Sequence, residues 1–229
     1  MNNLVIINET QTTKHKQTTR KRLIEATARL FAQHGYNGLT MRSVAEEARA
    51  NIAAANYHFG SKDAMVLEML RERVQPINHR RLELLNQARN HNSVKHLSTY
   101  EIFHSLIFPL GEEIAKNAKS RCSLAQLIAR TFTEPVQFIE KMHHQFFSQI
   151  ADTYYRELAL SHPGIPSKEI YWHLHLAVSS MLGALAQHRR LYDFTQGNCE
   201  ENEVFPLIER LIHFVTHGFE QGINHKFDQ

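Results

Sequence analysis

The residues of this chain that could carry chemistry are sixteen histidines, two cysteines and a run of amide, aromatic and basic side chains over residues 51–62. The histidines lack ligand spacing. His143 and His144 are adjacent and His173 and His175 are two apart, so neither pair shares a helix face. There is no H-E-x-x-H and no cysteine pair at zinc spacing. Cys122 and Cys199 are far apart in the chain and read as separate buried thiols of a reducing, cytoplasmic compartment, not as a disulfide framework or a redox sensor. No glycine-rich phosphate loop, G-x-S-x-G elbow or paired-carboxylate pattern occurs, and Asp152 and Glu157 read as a solvated helix face. The expectation is therefore no catalysis, no metal and no cofactor.

The run 51–62 has a different character, set by the elements that hold it. A helix begins near Thr19, with Leu23, Thr27, Leu30, Phe31 and His34 on one stripe, and Gly35 stops it. Thr40 is placed to cap a short second helix that buries Met41, Val44, Ala45 and Ala48. Arg49-Ala50-Asn51 then makes a three-residue turn into a third helix, Ile52–Phe59, which Gly60-Ser61 ends. Two short helices joined by such a turn, after a longer one, form a helix-turn-helix. Its third helix has the width of a DNA major groove. Ile52, Ala55 and Phe59 are expected to face inward. Small Ala53 and Ala54 let the backbone approach the groove, Asn56 suits a base edge, and Tyr57 and His58 suit phosphates. Lys62, at the start of the next helix, is expected beside a phosphate.

Charge and composition agree with an anionic partner at this end. The net charge of +3 divides unevenly: residues 1–60 hold eight Lys/Arg against four Asp/Glu, and the remainder holds 18 against 19. Residues 1–18 read as a flexible basic arm, 19–62 as the helix-turn-helix domain, and 63–229 as a larger helical domain with helices near 62–74, 76–91, 98–117, 120–132, 135–161, 167–191 and 203–223. Breaks are expected at Asn90-His91-Asn92, Pro135, Pro163 to Pro166 and Thr195 to Asn198. Pro109, inside a helical pattern, is expected to break or kink its helix and open space. With 229 residues, 9 Gly and 6 Pro, the chain is long enough for a core without staples and reads as all-α. No stretch is apolar enough for a membrane span. A helical protein-interaction module with no DNA binding is the alternative that these patterns leave open.

The stretch Thr19–Met65 resembles the TetR/AcrR family of bacterial regulators. The resemblance lies in Ile24, Ala26, Ala28, Leu30, Phe31, Ala32, Gly35 and Tyr36, then Leu39-Thr40-Met41-Arg42 with Val44-Ala45, and the whole of Asn51–Lys62. It departs where the family's turn glycine is Arg49 and where a common lysine is Ile52. Tyr171-Trp172 with His175 is similar to the PsrA-like, fatty-acid-responsive sub-branch. The resemblance implies a repressor that binds a palindromic double-stranded DNA operator as a homodimer and is released by a small apolar effector, a fatty acid or acyl thioester. The implied DNA contacts are Thr40, Arg42, Asn51, Ala53, Ala54, Asn56, Tyr57, His58 and Lys62. Phe103, Ile107, Leu127, Met142, Phe146, Trp172 and His175 are the candidates for the effector pocket. Val178, Leu182, Leu185, Leu207, Leu211 and Val215, at helical spacing on the last two long helices, are candidates for a four-helix dimer interface or for each chain's own core.

Overall fold

A computed structural model describes the backbone of residues 2–92, 96–116, 127, 134–199 and 204–222. Side chains are described for 18–90, 96–116, 127, 134–187, 190–199 and 204–222. Every regular element among these residues is helical: α1 (Asn2–His34), α2 (Met41–Glu47), α3 (Ile52–Phe59), α4 (Lys62–Asn92), α5 (Thr99–Lys116), α6 (Val136–Phe146), α7 (Ser148–Ser161), α8 (Ser167–Ala186), α9 (His188–Phe194) and α10 (Val204–Gly222). They form two compact units, residues 1–73 with 133–136, and residues 74–132 with 137–229. The units part inside α4, at Arg73 and Val74, and not at residue 62.

In the first unit α1 packs on α2 and α3, and α2 on α3. The stripe Leu23, Ala26, Thr27 and Phe31 is fully buried or nearly so, and meets a core with Leu39, Val44, Ala55, Met65 and Met69. The first helix continues through residues 2–18, where an arm was expected. That segment contains neither Gly nor Pro to interrupt it. Gly35, at φ +70, ends α1 as expected, its N–H bonded to Phe31 O at 2.8 Å.

In the second unit α5 lies against α10 and α7, and α8 packs on both α7 and α10. Phe103, Ile107, Tyr154, Ile212 and Phe219 fill its core. The Phe219 ring takes edge contacts from Phe103 at 5.8 Å, His162 at 5.0 Å and His173 at 5.3 Å. A Cβ on Gly111 would stand 2.8 Å from Ile208 Cγ1, so α5 and α10 approach closely there.

Several helix boundaries differ from the sequence expectation. Pro76 and Pro109 both lie inside continuous helices, α4 and α5. The segment expected as one helix over 135–161 is two, α6 and α7, meeting at Phe147, and 167–191 divides at Gln187. The helix expected over 120–132 lies outside the described residues except for Leu127.

Thr216 on α10 is buried, and its hydroxyl has no hydrogen-bond partner among the described residues. Thr216→Val keeps the shape and removes a stranded polar atom. It should stabilise by about 1 kcal/mol, raising Tm by roughly 2–4 °C. Thermal denaturation followed by circular dichroism checks this, and a fall in Tm would show that the hydroxyl is satisfied.

Candidate nucleic-acid interface and effector domain

The turn between α2 and α3 is built by hydrogen bonds that require a left-handed residue. Ala48 ends α2, Arg49 N donates to Glu46 O at 3.0 Å, and Ala50 N donates to Ala45 O at 2.9 Å. This is a Schellman motif, and its left-handed position, most often glycine, is Arg49 at φ +50. The departure at Arg49 therefore leaves the geometry of the turn intact and replaces the residue that adopts it without strain. At the other end of α2, Thr40 Oγ1 accepts from Ser43 N at 3.0 Å, and Ser43 Oγ accepts from Thr40 N at 3.0 Å. This is a capping box with serine in the place usually held by Glu or Gln.

Asn51 caps α3 by accepting from Ala53 N at 2.9 Å. Ala55 is fully buried and anchors the helix. Asn51, Ala53, Asn56 and Tyr57 are exposed, while Ala54 and His58 are half-buried. Tyr57 stands out furthest, at 71% exposure, with His58 edge-on at 5.3 Å. Ile52, expected to face inward, is 44% exposed. It is the first residue of the helix, before the turn that Ala55 buries, so nothing encloses it. The outer face of α3 is thus neutral, small and amide-bearing, flanked by one protruding aromatic ring.

The cations around this face divide by what already holds them. Arg42 pairs with Glu46 at 3.1 Å, but both side chains are mostly exposed, so the pair is worth only a few tenths of a kcal/mol. It can be exchanged for a phosphate at little cost. Arg20 bonds Glu68 and, at 2.6 Å, Glu72, and Arg29 bonds Glu47 at 2.9 Å. Lys62 turns inward: its Nζ donates to Tyr36 O at 3.2 Å and sits 4.0 Å above the Tyr36 ring. The ammonium expected beside a phosphate is engaged within the unit. Tyr36 is held on two further sides, its hydroxyl donating to Asp63 and its N–H to Glu134 Oε2 at 3.0 Å. Burial, then the bond and the charge at Asp63, push its hydroxyl pKa up to about 12. Lys21, Arg22 and Arg49 have no ion-pair partner among the described residues, and all three are exposed.

The effector candidates do not form one group. Phe103 and Ile107 are fully buried in the main core of the second unit. Leu127 and Met142 are buried outside that cluster, and Phe146 is half-buried at the end of α6. Trp172 is 56% exposed and meets His175 edge-on at 6.3 Å on the outer face of α8. Both are therefore turned away from any apolar interior: α8 buries Ile170, Leu174, Ala177, Met181 and Leu185, and positions 172 and 175 fall on its opposite side. The interface candidates also divide. Leu185, Leu211 and Val215 are buried in the chain's own core, and Val178, Leu182 and Leu207 pack partly buried against it. The large apolar residues left exposed on α8 and α10 are Tyr171, Trp172, Leu176, Phe205 and Phe214. Heptad-like spacing alone did not separate the two faces of these helices. An open cleft of about 700 Å³ lies between α4 and α5, lined by Leu84, Gln87, Ala88, Asn90, Tyr100, Glu101, His104 and Ser105. None of the effector candidates lines it.

Comparison with known proteins agrees with this architecture. Residues 23–69 match the family model described as bacterial regulatory proteins, tetR family, and residues 104–218 match that of the tetracyclin repressor-like C-terminal domain. The chain is 37% identical over 54 residues to the HTH-type transcriptional repressor AcnR of Corynebacterium efficiens, covering 24% of this chain and 29% of that protein. It is 33% identical over 69 residues to the HTH-type transcriptional regulator BetI of Agrobacterium fabrum, covering 30% and 34% respectively. The matches thus span about a third of these curated relatives. Among solved structures, the fatty acid degradation regulator FadR from Bacillus halodurans has the same fold, with TM-score 0.64 and 11% identity over 86% of this chain and 98% of that one.

The strained turn gives two substitutions of opposite sign. Arg49→Gly relieves the left-handed arginine and should raise stability by about 0.5–1 kcal/mol, after allowing for glycine's greater freedom in the unfolded chain. Arg49→Val, β-branched at positive φ, should lower it by more than about 1 kcal/mol. Thermal melts of the two variants beside the parent protein check the order.

Proposed function

Because the chain belongs to the TetR family, whose members are DNA-binding transcriptional regulators and not enzymes, we propose that it is a repressor. It binds a palindromic operator as a homodimer and leaves it when a small apolar effector enters the larger unit. The observation that carries this reading is the outer face of α3. Asn51, Ala53, Asn56 and Tyr57 are exposed on a helix pinned by buried Ala55, and small side chains there let the backbone approach base edges. Thr40, Arg42, Ala54 and His58 supply flanking contacts. Residues 1–18 contribute basic charge, 19–62 with the start of α4 make the reader, and the remainder senses and dimerises. Two copies of α3 then lie about 34–36 Å apart, one helical turn of DNA. No helix among the described residues is long and apolar enough to cross a membrane.

The exposed apolar residues of α8 and α10, Leu176 and Phe214 among them, are assigned to the dimer contact. The effector is assigned to the fatty acids or their thioesters. Support comes from the apolar core around Phe103 and Ile107, and from likeness of fold to FadR of Bacillus halodurans, a fatty acid degradation regulator. The effector acts through unequal affinity for the DNA-bound and free states, since a ligand that binds both equally shifts neither.

Selection of double-stranded oligonucleotides from a random pool should enrich a palindrome; a pool without one overturns the repressor reading and favours an interaction module. With the selected DNA, Asn56→Ala should weaken binding by about 1–3 kcal/mol and relax preference at one base pair of each half-site. Neutralising Lys14, Lys16, Lys21 and Arg22 together should reduce the dependence of affinity on salt, measured by fluorescence anisotropy between 50 and 200 mM salt. Phe214→Glu should shift the protein from dimer to monomer in analytical ultracentrifugation while leaving the circular dichroism spectrum unchanged.

A further inference from the structure

Arg81 lies on α4 in the second unit at 4% exposure, so its whole guanidinium is withdrawn from water. Its Nε donates to Leu106 O at 2.7 Å, within the turn of α5 that Pro109 disturbs, and Nη1 donates to Asn78 Oδ1 at 2.9 Å. Among the described residues, Nη2 meets the thioether of Met181, at 3.8 Å, and no other acceptor. A guanidinium carries five N–H donors suited to a carboxylate, and a thioether is a weak acceptor. No carboxylate pairs with Arg81 among the described residues. Neighbouring acids are engaged elsewhere, Glu83 and Glu112 by Arg80 and Glu157 by Arg89. Burial pulls the pKa of Arg81 down to about 10, and a buried cation without an anion is costly to a fold.

The fold makes use of Nε and Nη1 and leaves Nη2 poorly matched. Several helices meet Arg81 or the residues that bond it. Asn78, which accepts from Arg81, donates from Nδ2 to Phe146 O at 2.8 Å, at the end of α6. The Tyr154 hydroxyl on α7 donates to Arg81 O at 3.4 Å and lies 3.1 Å from Ser105 Oγ on α5. Ile77, Leu85, Leu106, Ile107 and Met181 belong to the apolar cluster around it. Met181, unbranched and flexible, is a side chain that can move aside at small cost and yield its place to an oxygen.

We propose that Arg81 is the anchor for a free carboxylate on the effector, bound head-inward with its apolar chain among these residues and an oxygen in the place of the Met181 sulfur. This inference rests on the apolar-effector reading and narrows it to the acid, because the acyl end of a thioester carries no charge for a buried guanidinium to meet. Carboxylate binding there supplies the missing acceptors and acts at once on α4, α5, α6, α7 and α8, the elements that share contacts with Arg81 or with its partners.

The test is isothermal titration of the full chain with oleate and with oleyl alcohol, the same chain without the charge, both below the micellar range. Oleate should bind the parent protein at least tenfold more tightly than the alcohol. Arg81→Gln should bring the two within about twofold, and Arg81→Lys should keep part of the preference. If Arg81→Gln does not fold, the parent protein and Arg81→Lys decide the matter. Equal binding of both probes by the parent protein, or a tenfold preference that survives in Arg81→Gln, overturns the anchor and leaves the apolar-effector reading standing. Failure of the parent protein to bind either probe overturns that reading and the anchor with it.

Discussion

The reader unit depends on the residue that follows its first helix stop. Tyr36 comes directly after Gly35, and each of its groups is committed: the N–H to Glu134, the carbonyl and ring face to Lys62, the hydroxyl to Asp63. Lys62 and Asp63 open α4, so one tyrosine fixes the end of α1 to the start of the helix that leaves the unit. Glu134 adds a third strand of chain, from residues that precede α6 in sequence yet pack with residues 1–73. Its carboxylate stands where a side chain on Gly35 would go, an ideal Cβ there lying 2.5 Å from Oε1. The glycine is thus required twice, for a positive φ and for the space that Glu134 occupies. The joint ties the end of α1, the start of α4 and the residues before α6 into one unit.

The two prolines inside helices show how a local rule yields to tertiary structure. Pro109 removes one backbone donor from α5, yet the helix runs on because both sides of the break bury apolar residues, Ile102 to Ile107 before it and Leu110 to Ile114 after it. Arg81 reaches into the same turn from α4 and bonds the Leu106 carbonyl. A cation in a hydrophobic interior and a proline in a helix are each unfavourable alone; the carbonyl that Pro109 leaves without an N–H is that of Ser105, next to the Leu106 carbonyl that Arg81 bonds. Of the other donors, Nη1 bonds Asn78 while Nη2 meets, among the described residues, a thioether, so Arg81 stands out from Arg80 and Arg89, each paired with glutamate.

The small unit was the more legible part of the chain. Gly35, the Thr40 cap, the turn at 49–51 and the Gly60 stop all rest on chemistry within four residues, and each lies where local rules put it. Long-range packing left no such mark. Pro109 reads as a break and Pro76 as the first residue of a separate helix, yet both are bridged by buried neighbours, whereas the division at Phe147 contains neither Gly nor Pro and has no local signature. Trp172 and Ile52 are apolar by type, yet exposed because the buried stripes of their helices run through Leu174 and Ala55. Arg81 and Glu134 could not be found by periodicity, since a single charged residue on a helix or in a connection looks solvated until its partners, 25 and 98 positions away, are known.

Charge must be counted the same way, by what remains after the fold has used it. Residues 1–60 carry an excess of four positive charges, and residues 61–73 add three basic and three acidic side chains, which leaves that excess unchanged. Yet Arg20, Arg29 and Lys62 are committed to Glu68 and Glu72, to Glu47 and to Tyr36. Arg71 is likewise paired, with Glu68, so among the described side chains what is left for a polyanion is Lys21 and Arg22 on α1, Arg49 at the turn, Arg73 on α4, and Arg42 in an exposed, easily exchanged pair. α3 itself contributes no Lys or Arg. On the proposed reading, attraction to the phosphate backbone would come from the flanks, while neutral α3 would meet the bases and select by shape, methyl contact and the Asn56 amide. Such a division would let salt tune affinity through the flanks without altering which sequence α3 prefers.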